Sequence, residues 1–283
     1  MAQNVQVLIA AVNQEPEKLI KQMNIQSDAI LVNQCDRYAV ETISIGSVRY
    51  RHRDKEQNAD EKYDEGKTSN LQVYHMAERG VGLSRNTALM RATGDICLFS
   101  DQDIVYEDGY EKAMLQEFEQ HPEADMIVFN IQVGEQRQTY HNTQWKKVRW
   151  YNCGRYGAVS FAIRREKLLE SGVTFSLLFG GGAKYSAGED SLFIKQFMDK
   201  GYTVYASPIT IGRESEGEST WFKGYTEKFF FDRGVLYHFL YGRLAKLWAL
   251  RFLLAHKEKM CRDYSVMQAY EIMKRGIREG AGR

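Results

Sequence analysis

The chain is expected to adopt an α/β fold with a mostly parallel central sheet and a helical extension at its C-terminal end. Three features carry this expectation. Residues 5–12 form an unbroken apolar run with β-branched members, the pattern of a central strand covered on both faces. Between Glu78 and Asp103 a helical pattern feeds a second apolar run that stops on two aspartates. From Trp221 onward the pattern turns helical and aromatic, which divides the chain into residues 1–215 and an extension over 216–283.

The remaining elements follow from local signals. Asn13-Gln14-Glu15-Pro16 opens a helix continuing over 17–23, and 28–32 is a second strand that ends in Asn33-Gln34-Cys35-Asp36. Residues 49–70 are dense in charge and poor in aliphatics. They read as a solvated loop or, through Arg49, Arg51, His52 and Arg53, as a lid over phosphates. A strand at 71–75 leads to a helix that Ser84 is placed to cap, with Leu83, Ala88 and Ala92 on one face and Gly94 ending it in a left-handed conformation. Residues 95–100 then form a buried strand. Asp108 is placed to cap a helix with the face Tyr110, Met114 and Phe118, which His121-Pro122 stops. Strands are expected at 125–133 and 158–164, with an aromatic and basic loop between them at 145–154. A helix over 165–171 closes on Gly172, and 179–188 is a glycine-rich stretch, either a loop that closes on a ligand or a passive connector. Asp190 begins the next helix, whose dipole would keep its carboxyl ionised near neutral pH. Two short strands split by Pro208 are expected over 202–211.

Composition bounds the function. With 283 residues, 43% of them hydrophobic, the chain can bury a sizeable core. A net charge of +1 argues against nucleic acid as the main partner, since duplex binders carry a basic excess. Cys35, Cys97, Cys153 and Cys261 are scattered without metal-ligand spacing, and the first residues lack a secretion signal, so a cytoplasmic location is expected. Arg243, Lys246 and Arg251 interrupt the C-terminal apolar pattern too often for a bilayer span of about 20 residues. Residues 241–283 hold ten Lys/Arg against four Asp/Glu. Such basic, aromatic helices suit packing on the parent domain, a homo-oligomer interface, or peripheral contact with the inner, anionic face of a membrane.

Asp101 and Asp103 carry the chemistry. Ligands collect at the carboxyl ends of strands in open α/β sheets, and two carboxylates one residue apart repel each other. A strand-end turn with the aspartates bonded to backbone amides is one reading. The other is a hard divalent cation, Mg²⁺ or Mn²⁺, whose shell is completed by a nucleotide diphosphate.

Gly80, Gly82, Leu83, Ser84, Arg85 and Asn86, then Ala92-Thr93-Gly94-Asp95, then a strand ending at Asp101 and Asp103, resemble the middle of a family 2 glycosyltransferase domain of the GT-A fold. Gly188-Glu189-Asp190, followed by Leu192, Phe193, Gln196 and Phe197, resembles that family's element carrying the catalytic base. The resemblance covers roughly residues 5 to 212. It implies a Rossmann-like nucleotide-diphospho-sugar transferase domain and an inverting transfer of a sugar from a nucleotide-diphosphate sugar to an acceptor hydroxyl, in polysaccharide or glycoconjugate assembly. It also implies metal at Asp101 and Asp103, base catalysis by Asp190 with Glu189 beside it, and nucleotide contacts from Ala10, Val12, Asn13, Asn33, Gln34, Arg85 and Asp101. For Ala10, Val12 and Asn13 a buried strand with a polar exit explains the same letters.

Two departures bear on these implications. Asn33 and Gln34 stand where the family has acidic residues, so base preference does not carry over, because an amide both donates and accepts. Residues 212–219 hold no histidine, so Glu214 or Glu216 completes the metal shell, or water and phosphate do. Trp145, Trp150 and Tyr151 are either acceptor-stacking rings or core and interface. The implied acceptor is a glycan, glycopeptide or lipid-linked sugar. The rival is a non-catalytic nucleotide-sugar-binding scaffold subunit of a glycan-assembly complex.

Overall fold

The computed structural model describes residues 3–45, 69–134, 138, 140–215 and 224–282. The expected lid residues Arg49, Arg51, His52 and Arg53, and Glu216 and Trp221, lie outside them. In chain order the elements are β1 (Val5–Val12), α1 (Pro16–Gln22), β2 (Asp28–Gln34), β3 (Ala39–Ile45), β4 (Ser69–Met76), α2 (Val81–Leu89), β5 (Ile96–Asp101) and β6 (Ile104–Tyr106). They continue through α3 (Tyr110–Gln120), β7 (Met126–Gln132), β8 (Lys146–Lys147), β9 (Phe161–Arg164), α4 (Arg165–Ser171), α5 (Glu189–Asp199) and β10 (Val204–Glu214) to α6 (Glu227–Tyr241), α7 (Ala245–Met260) and α8 (Val266–Ala281).

One sheet runs β3-β4-β2-β1-β5-β9-β7-β10-β6, with β8 paired to β10. Strands β4, β2, β1 and β5 are mutually parallel, and their register aligns Ala10 with Val32 and Asp101. The carboxyl ends of the strands bearing the expected site therefore share one edge. Beyond β5 the sheet is mixed, because β9 runs antiparallel to both β5 and β7.

Alternation along the strands splits the core into layers. Val5, Val7 and Ile9 join Leu19 and Ile20 of α1 and Tyr110, Met114 and Phe118 of α3 on one face. Leu8 and Phe99 join Ala88 and Leu89 of α2 and Phe193 and Phe197 of α5 on the other. A third core joins Phe179, Tyr185 and Leu192 to Phe230, Leu236, Leu253 and Met273 of α6, α7 and α8. The boundary at 215/216 thus separates stretches of chain but not of core: the glycine-rich stretch and the face of α5 bearing Leu192 pack on the helical extension. Within it α6 and α8 cross at near contact. A Cβ on Gly234 would lie 2.2 Å from the Met273 carbonyl oxygen, and one on Gly276 would lie 2.1 Å from that of Phe231.

Several local expectations change. Helix α2 starts at Gly80, whose φ of 136° suits only glycine, and Ser84 lies buried inside the helix, bonded to Gln34. The helix ends at Leu89. Gly94 serves close packing instead, since a Cβ there would come within 2.5 Å of Gln6 Cβ. Asp108 caps nothing; its carboxylate accepts from Asn24 Nδ2 at 2.9 Å and Gln26 Nε2 at 3.0 Å, while Gly109 precedes α3. Strand β10 runs unbroken past Pro208, because a register shift between Ala206 and Thr210 spares the proline a ladder bond. Trp145 stacks between His121 and Tyr205 at centroid distances of 3.6 and 5.0 Å, which makes it a packing residue rather than an acceptor platform.

Candidate active site

Arg85 is the centre of the site. Its side chain is 3% exposed, rises from the middle of α2 and packs 5.3 Å over the Phe175 ring. One guanidinium nitrogen, Nη2, donates to both oxygens of Asp101, at 3.0 and 3.1 Å. The other, Nη1, donates to Glu189 Oε1 at 3.1 Å and to Asp190 Oδ1 at 2.6 Å. Three carboxylates lying up to 105 residues along the chain from Arg85 are gathered on this one cation. The fork geometry of a guanidinium is what allows this; an ammonium offers a single point charge.

The supporting structure is aromatic. Phe175 stacks on Phe193 at 4.2 Å, and Phe99 meets Phe175 edge-on at 5.0 Å. These rings seat α5 on the sheet, so that its first turn, Glu189 and Asp190, meets the end of β5. Contacts of this kind contribute about 0.5–1.5 kcal/mol each beyond their burial. Gly180 has φ +102°, and a Cβ there would lie 2.7 Å from Glu189 Cδ and 2.8 Å from Val81 Cγ1. Only glycine lets the loop approach the pair this closely.

Burial works against the ionisation expected for Asp190. The Asp190 carboxyl is pushed up, by desolvation first, against the opposing pull of Arg85 and a backbone bond from Ala158. The helix dipole does not keep it low. Glu189 is pushed up to about 7, by burial and then by the Asp190 charge, with Arg85 opposing. Asp103 rises to about 6, from burial first and then from the charges of Asp101 and Glu214. Its carbonyl accepts from Ser215 N–H at 2.7 Å, which ties the aspartate turn to the end of β10.

Asp101 at the end of β5, Asp103 and Glu214 at the end of β10 therefore lie close together. Among the described residues no group of three or more His, Cys, Asp or Glu is arranged to enclose a metal by itself. Hard oxygen donors, two of them one residue apart, fit a divalent cation whose remaining positions are filled by phosphate oxygens. Asp101, Asp103 and Glu214 present the carboxylate oxygens that would hold it, with Asp101 also accepting from Arg85 Nη2.

The expected nucleotide residues fall into two groups. Ala10, Val12 and Asn13 line the exit of β1, where Val12 N–H donates to Gln102 Oε1 at 2.8 Å and Asn13 adopts φ 50°. Asn33 and Gln34 are buried and engaged internally. Asn33 exchanges bonds with Gln14 at 3.0 and 2.7 Å, while Gln34 accepts from Gly80 N–H at 2.8 Å and donates to Ser84. In this arrangement the two amides hold the loops after β1 and β4. Arg85 bonds carboxylates, not an open diphosphate position.

Two contributors escaped the sequence reading. Gln102, between the aspartates, pins β1 to their turn, and no sequence signal marks it. Asp232 on α6 is 4% exposed and accepts from Ser186 N–H and Oγ, both at 2.9 Å, and from Lys228 Nζ at 2.6 Å. An acid on the buried side of an aromatic helix was the available signal. Asp232→Ala should cost about 1.5–3 kcal/mol, the range for charged hydrogen bonds, and should expose 179–188 to limited proteolysis. A melting curve and a digestion time course check both.

The mixed α/β sheet with its flanking helices is a GT-A fold with C-terminal helices. The model of the family described as Glycosyl transferase family 2 matches residues 48–175. S. aureus TarS 1-349 in complex with UDP-GlcNAc is similar in structure at 14% identity and a TM-score of 0.56, covering 92% of this chain and 74% of that one. The complex of the same TarS segment with UDP gives 15% identity and 0.53 over 90% and 72%. This chain spans 43% of the longer TarS chain, again at a TM-score of 0.53. No curated protein matches the sequence.

Proposed function

We propose that this protein is a metal-dependent, inverting glycosyltransferase that moves a sugar from a nucleotide-diphosphate sugar to the hydroxyl of a glycan, glycopeptide or lipid-linked acceptor. One observation carries the reading: Asp101 at the strand end and Asp190 at the helix start share the Arg85 guanidinium. The family match over 48–175 and the fold support the same chemistry. Asp190 takes the proton from the acceptor hydroxyl while its oxygen forms the new bond to the anomeric carbon. The bond to the diphosphate breaks on the opposite face, and the diphosphate leaves with the electron pair. A cation held by Asp103, with Asp101 and Glu214 beside it, would supply charge neutralisation for that leaving group. Glu189, bonded to Arg85 and to Gly188 N–H at 3.1 Å, positions the pair. A single base acting once gives inversion.

Thermal stabilisation by a panel of nucleotide sugars, with and without Mn²⁺, tests the reading. A ligand at about 100 times its Kd adds roughly 2.7 kcal/mol, and Asp103→Asn should abolish the Mn²⁺-dependent part. If no nucleotide sugar stabilises the protein, or if Asp103→Asn retains the full Mn²⁺ effect, the assignment is wrong. Donor hydrolysis with Mn²⁺ separates an enzyme from a binding subunit.

A pH dependence follows. Asp190 accepts a proton only as the carboxylate, and burial raises its pKa. Turnover should therefore fall on acidification at a pH above the ordinary carboxylate range of about 4, rather than within it. The profile of kcat against pH at saturating donor checks this; an unchanged rate down to that range contradicts the assignment.

A further inference from the structure

The outward face of α7 is amphipathic in a way that packing within the chain does not use. Leu247 and Leu254 are 64% and 55% exposed, and Leu244, just before the helix, is 47% exposed. At about 100° per residue, positions 244, 247 and 254 fall on one side of the axis, opposite the buried Ala245, Ala249 and Leu253. Arg243 and Arg251 are exposed on this side and Lys246 on its flank, while Lys257 is exposed past a break in helical geometry at His256, beside the exposed acid Glu258. Among the described residues no carboxylate pairs with any of them, and Arg251 lies 4.9 Å over the Trp248 ring. The exposed Trp150 meets Trp248 at 5.8 Å, which brings that ring and its neighbour Tyr151 beside the helix.

No helix among the described residues is long and apolar enough to cross a membrane. We propose that this face of α7 docks in the plane of a bilayer surface rich in anionic phospholipid, with the leucines entering the acyl boundary and the four cations facing the headgroups. Charge decides between possible occupants. A second copy laid on this face would set its own arginines and lysines against those of the first, whereas an anionic surface complements them. Trp150 and Tyr151 suit the headgroup level, where a ring with one polar end is wetted on one side only. The inference does not rest on the glycosyl-transfer reading, because none of these residues touches the Arg85 cluster.

Cosedimentation of the full chain with vesicles tests it. One set is phosphatidylcholine alone and the other contains about a third phosphatidylglycerol. The wild type should bind the anionic vesicles and be released by salt, since each basic residue near the surface contributes about fivefold in partition at moderate ionic strength. K246E/K257E should lose roughly 25-fold or more, and L247D/L254D at least tenfold on the same vesicles. Exposed positions are substituted throughout, so melting curves should stay unchanged. Soluble donor turnover should also be retained, which separates failure of docking from failure of the proposed function. The proposal is overturned by equal binding to both vesicle types, by absence of binding, or by retention of the leucine variant. It is equally overturned by a wild-type dimer in solution that L247D/L254D dissociates while vesicles leave the protein in the supernatant.

Discussion

Asp190→Asn should lower kcat by about 10²- to 10⁴-fold, the range for a positioned base, while donor affinity changes little. Asparagine keeps the shape and an acceptor oxygen for Arg85 Nη1, which Asp190 now meets at 2.6 Å, so the cluster should remain assembled. What disappears is the capacity to take a proton. Steady-state kinetics at saturating donor, with donor affinity measured separately, give the split between kcat and binding. Wild-type turnover in this variant would remove Asp190 from the chemistry.

Arg85→Ala should have the largest effect on stability. Removing the cation leaves Asp101, Glu189 and Asp190 without their common partner, Glu189 among them buried, and breaking a buried ion pair typically costs about 3–5 kcal/mol. At about 2–4 °C per kcal/mol, Tm should fall by roughly 6–20 °C. The deficit has a definite pH sign. Glu189 already has a folded-state pKa near 7, above its ordinary 4.5, so the folded state binds its proton more tightly than the unfolded chain does. Without the guanidinium that bias grows. The stability of the variant should therefore recover as pH falls from about 7 towards 4.5 and worsen as pH rises. Arg85→Lys restores charge without the fork, and should lie between the two. A Tm for Arg85→Ala equal to wild type, or a deficit that deepens on acidification, would contradict the role assigned to this side chain.

Much of the fold is legible in the sequence. The run Val5–Val12 is covered on both faces, so its apolarity survives in the letters, and the parallel strands around it follow the same logic. Asp101 and Asp103 stand out because a strand end has a local signature, whereas the Glu189-Asp190 pair stands out through its likeness to the family's element. Strand β3 does not: it is an exposed edge, with Val40 69% exposed, and shows neither a continuous nor an alternating apolar pattern. The true partners of Arg85 lie 16, 104 and 105 residues away, a distance no local pattern spans. Gly94 looked like a helix terminator, yet its smallness answers to Gln6 on a different strand. Asn33 and Gln34 sit where ligand contacts were expected, and their amides are spent on neighbouring loops. Asp190 misled most, since a dipole argument looks along one helix and misses the desolvation imposed by everything around it.

The crossing of α6 and α8 at Gly234 and Gly276 has a mechanical consequence. Two backbones in near contact interlock and cannot slide, so the pair behaves as one stiff strut. The stretch before Glu189 is moored to that strut at both timbers: Ser186 to Asp232 on α6, and Tyr185 hydroxyl to Glu279 on α8 at 3.1 Å. Any swing of this stretch away from Arg85 must either cast off these moorings, with the Lys184 bonds to Glu279 and Lys228 beside them, or pivot upstream, at Gly180 and Gly182, where the backbone already occupies left-handed angles.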